Sequence, residues 1–303
     1  MKKDILTLLD VSAREMDALF ETAIRLKAEK ATGTTGFPLA GKSLGLLFDK
    51  PSTRTRISFE AAMIQLGGTP IFIGAADSQI SRGEPARDTA RVLSRYLNAV
   101  AVRTFSQDLL AEFAEFSDIP VINALTDRFH PCQVLSDLMT IIEKKGGYRG
   151  IKLAWVGDGN NVAHSWINAA AVLGLNLTLA CPDGYMPDER VVDEARKRNP
   201  DGIVLTEDPV AAVTGADVIY TDVWASMGQE REHRIRETSF KSFCVNEALV
   251  KRAKKDVIVM HCLPAHRGEE ITESVLEGPR SVVWDQSENK LHMHKAVLLE
   301  YID

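Results

Sequence analysis

The sequence predicts an α/β protein of two doubly wound domains, each a parallel sheet with helices on both faces, and an active-site cleft between the domains. Three observations lead there. Short apolar runs suited to buried strands alternate with stretches of helical periodicity, the pattern of a parallel sheet. The alternation pauses at Gly146-Gly147 and then begins again. The chemically distinctive residues fall just after strands, at the carboxyl ends where parallel sheets carry their sites.

Taken in order, residues 5–30 open with helical spacing: Met16, Leu19, Ala23 and Leu26 form one row, Phe20 and Ile24 lie beside it, and Ser12 is placed to cap before Glu15. A polar loop, Gly33 to Gly36, leads to an apolar strand at Leu44–Phe48. Pro51 then forbids a continuous helix and biases Lys50 toward extended backbone. Ser52 is the expected cap of the next helix, whose apolar rows are Ile57, Ala61, Ile64 and Phe59, Met63, Leu66. A short strand at Ile71–Gly74 precedes a polar loop over residues 76–88. A helix near Thr89–Leu97, a strand at Ala99–Arg103, another helix and a strand at Val121–Asn123 follow. After His130-Pro131, a helix from Gln133 toward Lys145 ends at the paired glycines.

The second half repeats the plan. Strands are expected at Ile151–Val156, Leu177–Ala180, Ile203–Leu205, Val218–Thr221, Val257–Met260 and Val282–Trp284, with helices such as Val162–Leu173 between most of them. The expected domains are 1–146 and 147–286, with a C-terminal helix in 287–303 packing back on the first.

Composition narrows the class. The chain has 303 residues, 45% hydrophobic and 26% charged, enough for two ordinary cores. A net charge of -6 argues against nucleic acid as a partner but allows a local arginine cluster to hold a small anion. The four cysteines, Cys132, Cys181, Cys244 and Cys262, form no close pair, which fits a reduced cytoplasmic setting. No signal peptide, transit peptide or membrane span is read.

The most informative stretch is Ser52-Thr53-Arg54-Thr55-Arg56 at a helix start. Orphan N–H groups and the helix dipole attract an anion there, and Arg54 adds a fork suited to phosphate. Fixed arginines at that end oppose the dipole unless an anion neutralises them. The plain alternative is a capped surface helix with solvated arginines.

Together with Phe59-Glu60, this stretch resembles the carbamoyl-phosphate signature of the aspartate/ornithine carbamoyltransferase family. Other motifs follow in family order: His130-Pro131-Cys132-Gln133 is similar to H-P-x-Q, Asp222-Val223-Trp224-Ala225-Ser226-Met227-Gly228 to D-x-x-x-S-M-G, and His261-Cys262-Leu263-Pro264 to H-C-L-P. Each alone has a bland reading: a capped histidine in a turn, a capping aspartate, a buried thiol.

The resemblance implies transfer of a carbamoyl group from carbamoyl phosphate to the δ-amine of L-ornithine, giving L-citrulline and phosphate, without metal or organic cofactor. It assigns Ser52, Thr53, Arg54, Thr55, Gln79, Arg103, His130, Gln133, Cys262, Leu263 and Lys290 to carbamoyl phosphate. Asn161, Asp222, Ser226 and Met227 fall to ornithine, and Arg54, Arg103, His130, Asp222 and Cys262 to the chemistry. Gly228 becomes a hinge, and the Leu263–Pro264 bond is expected to be cis. Gln79 is expected to reach into a neighbouring subunit of a homotrimer. Where the family usually shows Glu-Asn-Arg, this chain has Glu288-Asn289-Lys290, which keeps the charge and loses the bidentate fork.

Alternatives stand beside this one. A sister carbamoyltransferase for putrescine, aspartate or an N-acylated ornithine would share the phosphate half. Gly157-Asp158-Gly159-Asn160-Asn161 after a strand is similar to a dinucleotide fingerprint, although Val162 replaces its third glycine, so an NAD-dependent dehydrogenase is the rival from another class. A non-catalytic amino-acid sensor is the third. His261, Cys262 and His266 suggest zinc, but one cluster without a second set of ligands argues against a structural site.

Overall fold

The structure, a computed structural model, describes residues 2–34, 36–74, 76, 78, 79, 83–225 and 233–302. The chain divides into two compact units, Met1–Met139 with Glu288–Asp303, and Thr140–Ser287.

The first unit runs α1 (Ala13–Thr32), β1 (Ser43–Phe48), α2 (Thr53–Gln65), β2 (Thr69–Gly74), α3 (Ala86–Leu93), β3 (Ala99–Arg103), α4 (Gln107–Phe116) and β4 (Val121–Leu125). Helix α5 (Pro131–Lys145) then carries the chain into the second unit. All neighbouring strands are parallel, in the order β2-β1-β3-β4. Strands β1 and β3 are buried along almost their whole length, as near-continuous apolar strands covered on both faces must be. Leu47, Val100 and Val102 pack with Ala86 and Ala90 of α3 and with Leu110 and Phe113 of α4.

Helix starts follow the local chemistry. Ser12 accepts the Glu15 N–H while the Glu15 carboxylate accepts the Ser12 N–H, a reciprocal cap on α1. That cap holds the Glu15 carboxyl low, at about 2, chiefly through hydrogen bonds from Ser12. Ser52 caps α2 by accepting the Thr55 N–H at 3.2 Å. Of the two apolar rows on α2, only Phe59–Met63–Leu66 is buried, contributing roughly 1.5–3 kcal/mol per side chain. Ile57 and Ile64 are 54% and 59% exposed, because a helix lying on a sheet needs only one apolar stripe.

The second unit runs β5 (Lys152–Val156), α6 (Asn161–Leu173), β6 (Asn176–Ala180), α7 (Glu189–Arg196), β7 (Ile203–Thr206), α8 (Pro209–Val213), β8 (Val218–Thr221), α9 (His233–Ser239), α10 (Glu247–Val250), β9 (Ile258–His261) and α11 (Glu273–Leu276). Its parallel sheet has the order β7-β6-β5-β8-β9. Helix α6 is buried from Val162 to Ala171, its apolar residues packing on every side and His164, Ser165 and Asn168 buried among them. Trp155 stacks on Tyr220 with ring centres 5.2 Å apart.

One expected strand is not a strand. Val282–Trp284 opens α12 (Val283–Tyr301), and only Ser281 makes a bridge, to Val259. The β-prone run is too short to hold a ladder, Asp285 stands favourably in the first helical turn, and Trp284 is 58% exposed. From Glu288 onward α12 belongs to the first unit.

Each sheet order reverses once. In the first, β1 lies between β2 and β3; in the second, β5 lies between β6 and β8. Connections leave in opposite directions at such a point, which opens a crevice at the strands' carboxyl ends. The two switch points are therefore β1/β3 and β5/β8.

Candidate active site

At β1/β3 stand Ser52–Arg56, just beyond β1, and Arg103, the last residue of β3. The β3–β4 register shifts between Val102 and Arg103, a bulge of the kind that re-aims a side chain. Arg103 is buried, and its carbonyl accepts the Asp49 N–H at 2.8 Å, tying the ends of β3 and β1 together.

The centre of this cluster is Lys290 from α12. Its buried ammonium donates to Thr55 Oγ1 at 3.0 Å and to Gln133 Oε1 at 2.9 Å. Gln133 in turn donates from Nε2 to the buried Asp137 at 2.8 Å, so a cation and a carboxylate fix its amide orientation. One turn beyond Lys290, His294 stacks on Phe59 at 3.6 Å and meets Ser58 Oγ through Nδ1 at 2.9 Å. Since the Ser58 hydroxyl donates to the Thr55 carbonyl, the imidazole donates to Ser58. That contact holds α12 against α2 in register for Lys290 to reach Thr55.

His130 is buried, and its carbonyl accepts the Gln133 N–H at 3.2 Å at the start of α5. Burial first, then the positive charges of Lys290, Arg103 and Arg54, push its pKa well below the ordinary histidine value, so the imidazole is neutral. Cys132 beside it is inert: burial pushes its thiol up to about 12. Arg54 and Thr53 are exposed at the helix start. Arg56 is committed elsewhere, bonded to Glu60 at 2.9 Å and lying 3.5 Å over the Phe72 ring; a carboxylate of its own helix neutralises it. Gln79 is exposed in the loop after the edge strand β2, its carbonyl accepting the Glu84 N–H.

At β5/β8 the organising group is the buried carboxylate of Asp222, just beyond β8. Oδ1 accepts from the Cys262 thiol and from the Val223 N–H, both at 2.9 Å, and Oδ2 accepts from Asn160 Nδ2 at 2.8 Å. Asn160 is also the cap of α6, its Oδ1 accepting the N–H groups of Val162 and Ala163. This is where a dinucleotide pyrophosphate would have to sit. Gly159 is required for a different reason: a Cβ there would lie 2.3 Å from the Pro187 nitrogen. Its place in the sequence therefore reflects a close backbone crossing within this unit, which removes the main support for a dinucleotide site.

After β9, the Leu263–Pro264 peptide is cis, as the resemblance implied, and Leu263 adopts a left-handed φ of 59°. Donor atoms of Asp222, His261 and Cys262 lie within 4.8 Å of one another. Both imidazole nitrogens of His261 are already engaged, Nε2 with Glu270 and Nδ1 with the Leu263 N–H. Only Asp222 and Cys262 are thus available from that trio to a metal.

Two family models match the chain: the carbamoyl-P binding domain of aspartate/ornithine carbamoyltransferase over residues 3–143, and its Asp/Orn binding domain over residues 149–301. The chain belongs to the aspartate/ornithine carbamoyltransferase family. Among its relatives, the ornithine carbamoyltransferase of Geobacter metallireducens is 56% identical, over 98% of both chains. That of Syntrophus aciditrophicus is 57% identical, over 98% of this chain and 99% of its own. The solved ornithine carbamoyltransferase of Pyrococcus furiosus superposes with a TM-score of 0.96 at 50% identity, covering 99% of this chain and 97% of its own. The anabolic ornithine carbamoyltransferase of Campylobacter jejuni superposes with a TM-score of 0.93 at 39% identity, covering 99% and 98%.

Within this family frame, the structure gathers Ser52, Thr55, Gln133 and Lys290 with Arg103 and His130 around one switch point, and Asp222 with Cys262 at the other. Asn161 begins α6 beside the capping Asn160. Ser226, Met227 and Gly228 lie outside the described residues. Sequence reasoning noted Asn160 only as part of the Gly157–Asn161 stretch, with no role of its own, and did not single out Asp137, His294 or Glu270. Asn160 had a usable signal, an Asn two residues before Val162 at a helix start; the other three are bonds between distant or unremarkable positions. Among the described residues no helix is long and apolar enough to cross a membrane.

Proposed function

We propose that the chain is an ornithine carbamoyltransferase, converting carbamoyl phosphate and L-ornithine to L-citrulline and phosphate in the cytoplasm. The observation that carries this reading is the buried Lys290–Thr55–Gln133 cluster at the β1/β3 switch point, whose Thr55 and Gln133 lie in the region matched to the family's carbamoyl-P binding domain while Lys290 reaches them from α12. The carbamoyl-phosphate domain is taken as 1–146 with 287–303, and the ornithine domain as 147–286.

The neutral δ-amine attacks the carbamoyl carbon. A C–N bond forms, negative charge gathers on the carbonyl oxygen, the C–O bond to phosphate breaks, and the amine loses its proton. Catalysis in such a reaction is positioning and charge stabilisation. Arg54, Arg103, Ser52, Thr53 and the first turn of α2 hold the phosphate, with the Lys290 ammonium adding charge. Thr55, Arg103 and His130 direct donors at the carbonyl oxygen. Gln133 accepts from the carbamoyl amide through the oxygen that Lys290 orients, and the Leu263 carbonyl supports the same group. Asp222 and Cys262 orient the amine, while Asn161, Ser226 and the Met227 backbone hold the amino-acid end. No metal or organic cofactor has a part.

We further propose a homotrimer in which Gln79 completes the neighbouring site. Its support is the exposed apolar row of Ile57 and Ile64 and the position of Gln79 beyond an edge strand.

The test is a colorimetric citrulline assay with ornithine, putrescine, acetylornithine and aspartate offered side by side. Turnover confined to ornithine, abolished by Arg54→Ala with the fold intact, is the expected result. Preference for another amine moves the acceptor assignment, and near-normal turnover of the Arg54 variant rejects the phosphate assignment.

A further inference from the structure

We infer that Glu270 is a positioning residue which, through the tautomer of His261, sets the backbone of the Cys262–Leu263 turn. The inference deepens the functional reading above and rests on it for its consequence in catalysis. Glu270 is fully buried, and one carboxylate oxygen, Oε1, accepts from His261 Nε2 at 3.0 Å and from the His266 N–H at 2.6 Å. A carboxylate can only accept, so the proton of His261 resides on Nε2 and Nδ1 carries a lone pair. That lone pair accepts the Leu263 N–H at 2.8 Å. With the opposite tautomer, two N–H groups would face each other there.

The bond matters because Leu263 is the one non-glycine residue with positive φ among the described residues. A Cβ disfavours the left-handed region, so an ordered leucine needs an anchor outside itself. The imidazole supplies one. On its other side, the His261 N–H donates to Gln286 Oε1 at 3.0 Å, and Gln286 Nε2 donates to the Tyr220 hydroxyl at 3.1 Å. Cys262 is thus fixed from both neighbours, which presents its thiol to Asp222 at 2.9 Å.

Isosteric variants separate the two bonds of the relay. Asparagine at 261 offers an oxygen where Nδ1 stands and loses the link to Glu270; glutamine offers a donor where Nε2 stands and loses the link to Leu263. His261→Gln is expected to lower kcat by about tenfold or more, the size of one lost hydrogen bond, with His261→Asn affected several times less. Glu270→Gln keeps an accepting oxygen and is expected to stay near wild-type kcat, whereas Glu270→Leu falls with His261→Gln. Nitrogen-15 spectra of histidine-labelled full-length protein give the independent readout: a protonated Nε2 in the wild type and in Glu270→Gln, and a mixed tautomer in Glu270→Leu. Equal losses in the two His261 variants, or an unchanged tautomer in Glu270→Leu, overturn the relay. If Glu270→Leu does not fold, the His261 pair decides. A wild type that makes no citrulline defeats the functional reading instead, and the spectra still decide the relay.

Discussion

Replacing Lys290 with methionine tests whether the ammonium at the centre of the first cluster serves substrate or merely ties α12 to α2. The side chain keeps its length and loses its charge. Two consequences follow from the geometry. The phosphoryl group loses a charged partner, worth about 1.5–3 kcal/mol for one hydrogen bond to a charged group. Gln133, held between Lys290 at 2.9 Å and Asp137 at 2.8 Å, also loses the donor that sets its amide. Allowing about 2–3 kcal/mol in all, kcat/KM for carbamoyl phosphate falls roughly 30- to 150-fold. Stability responds less, because leaving Thr55 Oγ1 and Gln133 Oε1 without their donor is offset by no longer burying a cation, a net change within about 2 kcal/mol. Steady-state citrulline formation with each substrate varied in turn is the assay, with thermal melting alongside. The ornithine KM should stay close to wild type. Lys290 is the second cause, after burial, of the depressed His130 pKa, so its removal raises that pKa. The acid limb of the kcat/KM profile then moves to higher pH. A variant with an unaltered carbamoyl-phosphate KM, an unmoved acid limb and a lowered melting temperature refutes the reasoning and leaves Lys290 a structural tie.

The remaining predictions concern pH, the acceptor and assembly. His130 and His294 both have pKa values lowered by burial, so below about 6.5 the unfolded chain takes up protons that the folded one excludes. Folding stability is therefore complete above that pH and declines below it, by up to about 1.4 kcal/mol per pH unit for each histidine. Urea unfolding at pH 7 and pH 5 measures this, and His294→Gln should shallow the decline; an unchanged slope contradicts the burial of that imidazole. Asp222→Asn keeps the shape that Asn160, Val223 and Cys262 surround but loses the negative charge that orients the attacking amine. It should cut kcat/KM for ornithine by about a hundredfold while leaving carbamoyl-phosphate binding within a few-fold, and equal damage to both speaks against the division of labour. Ile57→Glu combined with Ile64→Glu should leave each chain folded and dissociate the trimer in sedimentation velocity; a stable trimer in the double variant removes that row from the interface.

What the sequence made legible has a common physical origin. Buried parallel strands such as Leu44–Phe48 and Ala99–Arg103 must be continuously apolar, and the helices between them must be amphipathic or wholly apolar. Both patterns survive in one dimension, and their alternation already puts Ser52–Arg56 and Asp222 just beyond strand ends; that these ends are switch points follows from the strand orders of the folded sheets. The ambiguities lie where a local pattern has two possible outcomes. Val282-Val283-Trp284 suits a strand by composition but has only the Ser281–Val259 bridge to sustain one, so the helix that Asp285 favours begins there instead. Ile57 and Ile64 share a helical row with no sheet to cover it. Gly157-Asp158-Gly159-Asn160-Asn161 resembles a phosphate loop because a close backbone crossing and a pyrophosphate both demand glycine, and only the 2.3 Å approach to Pro187 distinguishes them. The residues that orient the reactive groups leave still less trace. Glu270 acts on Leu263 through one imidazole, and His294 secures Lys290 through one hydroxyl; a single hydrogen bond has no period and no fixed spacing. A sequence therefore names the groups that touch substrate more readily than the groups that aim them, and the second set is where substitutions alter kcat without changing which substrates are bound.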